Sequence, residues 1–163
     1  MKIIEALKKI KHLDRKIEKA GERITIWSSY VETINEGDLV AEEPLYNAKD
    51  IMIMVQQTND WQQEKARLRH LLHRTNILTS AKFDNKVYNI DELLLLQNIV
   101  LPEKLNTQKR LSRQRILNPA KQRVIMQYDP KEREKEIDSI EDTATRLNAL
   151  LDQLSLSVEV LEG

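Results

Sequence analysis

The stretch IIEALKKIKHLDRKIEKAGERITIWSSYVETI, residues 3–34, decides the fold. Ile3, Ile10, Ile17, Ile24 and Val31 recur every seven residues, and Ala6, Leu13, Ala20, Trp27 and Ile34 each follow by three. That is an a/d heptad stripe with a β-branched residue at every a position. Lys8, Lys9, Lys11, Arg15, Lys16, Glu18, Lys19, Glu22 and Arg23 fill the intervening faces. The pattern predicts one helix over 2–35, stopped by Asn35-Glu36-Gly37-Asp38 with Gly37 near the C-cap. Gly21 costs about 1 kcal/mol relative to Ala inside a helix, so it reads as a mark of close approach by a neighbouring helix.

Working outward, residues 36–45 read as an acidic loop closed by Pro44. A second helix is predicted from about Tyr46 to Asn76, with the stripe Met54, Thr58, Trp61, Lys65, Leu68, Leu72 and Thr75. Two polar or charged members in mid-helix, Thr58 and Lys65, and the surrounding glutamines predict tight packing at its ends and looser packing in the middle. Ala81-Lys82-Phe83 and Lys86-Val87-Tyr88 flank Asp84-Asn85 and predict a β-hairpin, because Asp and Asn tolerate positive φ. Asn89 and Glu92 form a capping-box signal opening a third helix, in which Pro102 predicts a kink or a break and which Pro119 ends. Residues 121–128 read as a strand. Asp129, Pro130 and Glu132 then give an N-cap, a proline at N1 and an acid at N3 for a fourth helix carrying Ile137, Ile140, Ala144, Leu147, Leu151 and Leu154. Alternation over Leu156, Val158 and Val160 suggests a short terminal strand. The expected fold is mainly α: long antiparallel helical hairpins in a coiled-coil-like bundle, with a small β element from a hairpin near 81–88 and a strand near 121–128. One helical domain over 1–163 is expected.

Composition agrees. Charged residues make up 32 % of the chain, and there are three Gly and four Pro. Average usage is ~25 % charged, so the excess suits long helices with wet outer faces. Lys plus Arg and Asp plus Glu are 26 each, so no global charge draws the chain to nucleic acid or anionic membrane. With no cysteine, disulfides, thiolate nucleophiles and Cys-based zinc sites are excluded, and a reducing cytoplasm is the expected compartment. Residues 1–15 lack the apolar run of a signal peptide, and apolar blocks such as Leu93–Leu96 are far short of a membrane span.

Taken in order, several elements resemble the septicolysin-like family of small helical bacterial and phage proteins. They are the heptad helix after Met1, Leu71-Leu72-His73-Arg74-Thr75-Asn76, the turn into Ile90-Asp91-Glu92-Leu93, and the lead through Asp129 into a final helix Ile137–Leu154. The family pattern has a Trp near the C-terminus, where this chain carries Val158 and Val160. The resemblance implies a helical, oligomeric protein, with a phage or prophage particle as one setting, and implies no activity.

His70 and His73 are spaced to share a helix face, yet neither is preceded at three residues by Glu, and a zinc site needs further ligands. No G-x-S-x-G, phosphate-cradling glycine loop or dinucleotide fingerprint is present. No catalytic residue, metal or cofactor is therefore assigned. Lys104, Lys109, Arg110, Arg113, Arg115, Lys121 and Arg123 form a basic stretch with only Glu103 as an acidic neighbour. With Arg67, Arg69 and Arg74 it is a candidate for phosphate contacts, though aromatics for base stacking are scarce. The alternative partner for these cations is an acidic surface such as residues 32–43 of a neighbouring subunit. The first helix is expected to pack on the fourth, leaving Leu94, Leu95 and Ile99 as a surface for a homo-oligomer. A non-enzymatic structural or adaptor protein is the expected function. A weak nucleic-acid binder using 104–123, with Arg110, Arg113 and Arg115 in contact, is the alternative.

Overall fold

The computed structural model describes residues 1–35, 38–41, 45–111 and 125–161, with backbone alone for 32–35 and 38–41. The chain is mainly α-helical with a small β element. In order come α1 (Ile3–Trp27), β1 (Glu32–Asn35), β2 (Asp38–Ala41), α2 (Ala48–Leu78), β3 (Ser80–Phe83) and β4 (Lys86–Asn89). A third helix follows without interruption as α3 (Ile90–Leu95), a π-helical turn (Leu96–Val100) and α4 (Leu101–Arg110), and α5 (Pro130–Ser157) closes the order. Backbone proximity divides the chain into two compact units, Met1–Arg74 with Glu159–Gly163, and Thr75–Val158.

In the first unit α1 and α2 run antiparallel. Lys9 Nζ lies 2.7 Å from Glu64 Oε1, Lys65 pairs with Asp14, Lys16 Nζ sits 5.3 Å over the Trp61 ring, and Trp27 meets Tyr46 edge-on at 6.0 Å. The partner found for the first helix is thus α2, where the sequence suggested the fourth helix. Ile3, Ala6, Ile10 and Leu13 are buried, while Ile17, Ala20, Ile24 and Trp27 are half-buried. On α2 every member of the expected stripe is buried or half-buried, and only its C-terminal part, Leu68, Leu72 and Thr75, is closed. Tight packing is therefore confined to one end of this helix rather than both.

Helix 1 stops at Trp27, earlier than the heptad pattern suggested. Beyond it Ser28 and Ser29 compete for backbone bonds, and β-branched Val31, Thr33 and Ile34 favour extended backbone. Glu32–Asn35 instead pairs antiparallel with Asp38–Ala41 in the register Thr33↔Val40. Gly37 lies outside the described residues, as do 36 and 42–44 of the expected acidic loop. A Cβ on Gly21 would meet nothing within 4 Å, so no neighbouring helix approaches it closely. Asn47 and Asp50 cap α2 reciprocally: the Asp50 N–H donates to Asn47 Oδ1 at 2.9 Å and the Asn47 N–H to Asp50 Oδ2 at 3.2 Å. The tail returns to the first residues through a Lys2↔Glu159 bridge and a Val160 N–H bond to the Met1 carbonyl of 2.7 Å, which buries Val160. The expected terminal strand is reduced to that bridge, since α5 continues through Ser157.

The second unit is built on the β3–β4 hairpin and two helices. Asp84 and Asn85 hold φ of 44° and 65°, the two-residue geometry a right-twisted hairpin requires. Asn89 Oδ1 accepts the Glu92 N–H at 2.8 Å, and Glu92 Oε2 accepts the Asn89 N–H at 2.8 Å, as the sequence indicated. Pro102 does not break the helix. Proline lacks an N–H and crowds the carbonyl four residues back. The turn before it widens instead, with the Leu101 N–H donating to the Leu96 carbonyl. The helix ends at Arg110, and Pro119 lies outside the described residues. Of the expected strand at 121–128, residues 121–124 lie outside the described residues, and 125–128 form an irregular lead into α5. Asp129 caps α5 by accepting the Lys131 N–H at 2.8 Å, and Pro130 stands in its first turn. The core is Leu93, Leu101, Ile140 and Leu147, with Phe83, Tyr88, Leu105 and Leu151 packed against it.

Candidate interaction surface

The Leu93–Leu96 run divides its faces. Leu93 is fully buried and Leu96 half-buried in the core of the second unit. Leu94 is half-buried, and only Leu95 and Ile99 are exposed, one turn apart. The candidate apolar surface at Leu94, Leu95 and Ile99 is therefore narrow, with exposed Glu92 and Asn98 beside it. Gln97, in the π turn, donates to Asn148 Oδ1 and ties this helix to α5.

The basic residues are placed less uniformly. Lys104, Lys109 and Arg110 are exposed on α4, and Arg113, Arg115, Lys121 and Arg123 lie outside the described residues. Lys109 and Arg110 occupy the last turn of α4, where cations meet the negative end of the helix dipole. Arg133 Nε adds a 2.9 Å bond to the Gln108 carbonyl at the same end. Lys104 lines a cleft of about 400 Å³ together with Glu103 and Glu136. Arg67, Arg69 and Arg74 belong to the other unit.

The Arg74-Thr75-Asn76 tripeptide has a structural part. Thr75 is fully buried, and Asn76 Nδ2 donates to Asp91 Oδ1 at 3.3 Å, joining the end of α2 to the start of α3. Its Oδ1 is buried without a hydrogen-bond partner. His12, His70 and His73 are exposed, and among the described residues no group of three or more His, Asp or Glu is placed to hold a metal ion. No described helix is long and apolar enough to cross a membrane.

Ion pairs occur in both units. A cleft of about 410 Å³ is lined by Met1, Lys9, Glu64, Arg67, Leu68 and Val160, among others. The hydrogen bond from Lys9 holds the Glu64 carboxyl below its ordinary 4.5, with the Lys9 and Arg67 charges acting the same way against desolvation. In the second unit, Arg146 reaches Asp84 at 2.5 Å and Asp142 at 3.1 Å, and its guanidinium lies 5.6 Å over the Phe83 ring. That arrangement locks the β3–β4 turn onto α5.

Open apolar side chains that the sequence reading does not single out as surface, Ile26, Tyr30, Val31, Leu45, Met52 and Ile53, stand near the end of α1 and the start of α2. A cleft of about 420 Å³ there is lined by Leu45, Tyr46, Asp50, Ile53 and Met54. The signal available was compositional: segments 24–31 and 45–59 contain only two charged residues, Lys49 and Asp50, in a chain that is 32 % charged. No family model, no curated protein and no solved structure matches this chain.

Proposed function

We propose that this is a non-enzymatic assembly or adaptor protein that acts through helix–helix contacts and works as a homo-oligomer. One observation carries the reading. The α1–α2 hairpin closes its apolar stripe only at Ile3–Leu13 and Leu68–Leu72, while Ile17, Ala20, Ile24, Trp27, Met54 and Trp61 stay half-covered. Two helices alone leave the flanks of a shared seam wet, and further helices are the usual means of covering them. A net charge of zero gives copies of the chain little mutual repulsion. The resemblance to septicolysin-like proteins supports an oligomeric helical protein and suggests a phage or prophage particle as its setting.

The test is mass in solution by light scattering, across a range of concentrations and at two salt levels. A fixed multiple of 19.1 kDa is the expected result. A strict monomer at every concentration would sink the self-assembly reading.

A further inference from the structure

We infer that copies of this chain meet through unlike faces, the cationic outer side of α1 on one copy against the acidic outer side of α5 on a second copy. The inference rests on the assembly reading above and names the two surfaces. On α1 the stripe Ile3, Ala6, Ile10, Leu13, Ile17 and Ile24 is buried or half-buried. Lys8, Lys11, Arg15 and Lys19, at spacings of three, four and four, fall on the opposite side of the helix and are all exposed. Their Cα atoms span about 16 Å at the helical rise of ~1.5 Å per residue. The cations on the flank are engaged within the hairpin, Lys9 with Glu64 and Lys16 over the Trp61 ring. Among the described residues, none of the four outer cations has an ion-pair partner. Of the acids on α1, Asp14 is taken by Lys65 and Glu5 by the Lys2 N–H, and Glu18 and Glu22 border the stripe.

Helix α5 has the opposite charge. Ile140 and Leu147 are buried in its core-facing side, while Glu134, Asp138 and Glu141, spaced four and three, are exposed away from it. Three of its four bases are engaged inside the second unit: Lys135 with Glu132, Arg146 with Asp142 and Asp84, and Arg133 with the Gln108 carbonyl. Among the described residues, none of the three outer acids has an ion-pair partner. Counted whole, α1 holds seven bases and four acids, and α5 holds four bases and seven acids, so their net charges are +3 and −3.

That equality identifies the occupant. A phosphate backbone or an anionic lipid surface would neutralise α1 and leave the acids of α5 unanswered. So would the five acids of residues 32–43, the other anionic run of this chain. A second copy answers both faces at once. Because the faces are unlike, the contact is heterologous: each copy takes two neighbours, and a ring closes the series at a fixed mass. Exposed ion pairs add little affinity each and chiefly fix which faces meet and in what register. In a ring every copy is held at two contacts, which compounds a weak affinity.

The test uses the full chain at the lower salt level, where charges are least screened. Wild type, a Lys11→Glu/Arg15→Glu/Lys19→Glu variant and a Glu134→Lys/Asp138→Lys/Glu141→Lys variant are compared by light scattering, with far-UV circular dichroism to check helicity. The expected result is an oligomeric wild type and a helical monomer for each variant alone. Mixing the two variants in equal amounts should restore association, because α1 of either one then meets an opposite α5. An oligomer unchanged by both reversals overturns the inference and leaves assembly through another face. Loss on reversal of α1 alone overturns it in favour of residues 32–43, and loss on reversal of α5 alone overturns it as well. Two helical variants that stay monomeric on mixing also overturn it. A monomeric wild type removes the assembly reading and the inference together. If that monomer binds a DNA duplex or anionic vesicles, and reversal of α1 abolishes the binding, the face belongs to a polyanion.

If a variant loses helicity, zero-length carbodiimide coupling of the wild type decides, since it joins a lysine amine directly to a carboxylate in contact with it. The reaction is run on equal parts of isotope-labelled and unlabelled chain, so that links between copies carry both isotopes. Mixed-isotope peptides joining Lys8, Lys11 or Lys19 to Glu134, Asp138 or Glu141 are expected. Links within one copy only, links from these lysines to residues 32–43 instead, or no link at these lysines overturn the inference.

Discussion

Replacing Leu93 by Ala, beside Leu95 by Ala, separates a core position from a surface position of one residue type in one short helix. Leu93 is fully buried against Leu101, Ile140 and Leu147, whereas Leu95 keeps 52 % of its surface open. Both substitutions remove three carbons and have the same small effect on helix propensity. At Leu93 the transfer loss is ~2.4 kcal/mol from ~0.8 kcal/mol per carbon. A cavity that fails to collapse raises the total to as much as ~5 kcal/mol. At Leu95 the side chain already meets water, and the loss is under about 1 kcal/mol. With a urea m-value of about 1.5 kcal/mol/M for a section of this size, Leu93→Ala lowers the midpoint by roughly 1.5–3 M and Leu95→Ala by well under 1 M. Far-UV circular dichroism is the appropriate probe, since Trp27 and Trp61 both lie in the other unit and their fluorescence reports that unit. Equal midpoint shifts for the two variants would refute the core assigned to the second unit.

Four further outcomes are expected. Asn85→Gly relieves an L-residue at φ 65° and should raise the melting temperature of the hairpin unit by a few degrees, about 0.5–1 kcal/mol, whereas Asn85→Val should lower it. Asn89→Ala removes the acceptor for the Glu92 N–H and should reduce stability by about 1 kcal/mol in chemical denaturation. Because the Glu64 carboxyl is held below its ordinary 4.5, its contribution is complete above that value and is lost as pH falls through the lower folded one. The melting difference between wild type and Glu64→Gln should therefore be largest near neutrality and shrink below pH 4.5, and a difference that grows in acid contradicts the Lys9–Glu64 pairing. The basic stretch is expected not to shift a DNA duplex at low salt in a mobility assay; a shift abolished by Arg110→Glu, Arg113→Glu and Arg115→Glu together would restore the nucleic-acid reading.

Much of this architecture is legible wherever short-range chemistry decides it. Asn89 with Glu92, and Asp129 with Pro130, open helices because their side chains satisfy backbone N–H groups that a helix start leaves free. Asp84-Asn85 turns the chain because these two residues tolerate positive φ. The stripe on α2 is also legible, since it follows from the helical period. The end of α1 is not, because Val31 and Ile34 keep the heptad phase by coincidence while local propensity and pairing with Asp38–Ala41 favour a strand. The outcome at Pro102 is hidden too: a widened turn and a break satisfy the missing N–H equally well on paper, and packing of Leu101 and Leu105 on α5 selects continuity. As for the surface, a charge-poor window, with Lys49 and Asp50 alone, is visible in residues 45–59. Its adjacency to 24–31 requires the α1–α2 pairing, and a heptad stripe does not name its partner helix.

The return of the tail to Met1 bears on the order in which the molecule is made. Thr75–Val158 is a continuous piece of chain set between the two parts of the other unit. Its core, Leu93, Leu101, Ile140 and Leu147, comes from that piece alone and forms without waiting for the last residues. The first unit has a different schedule. Its Lys2↔Glu159 bridge and the buried Val160 close a loop nearly as long as the chain, and loop closure of that span is a late and slow event. On a ribosome the heptad helix emerges before α5 and is finished after it. During that interval its open stripe is available to the same helix on a neighbouring nascent chain, which makes synthesis itself an occasion for pairing.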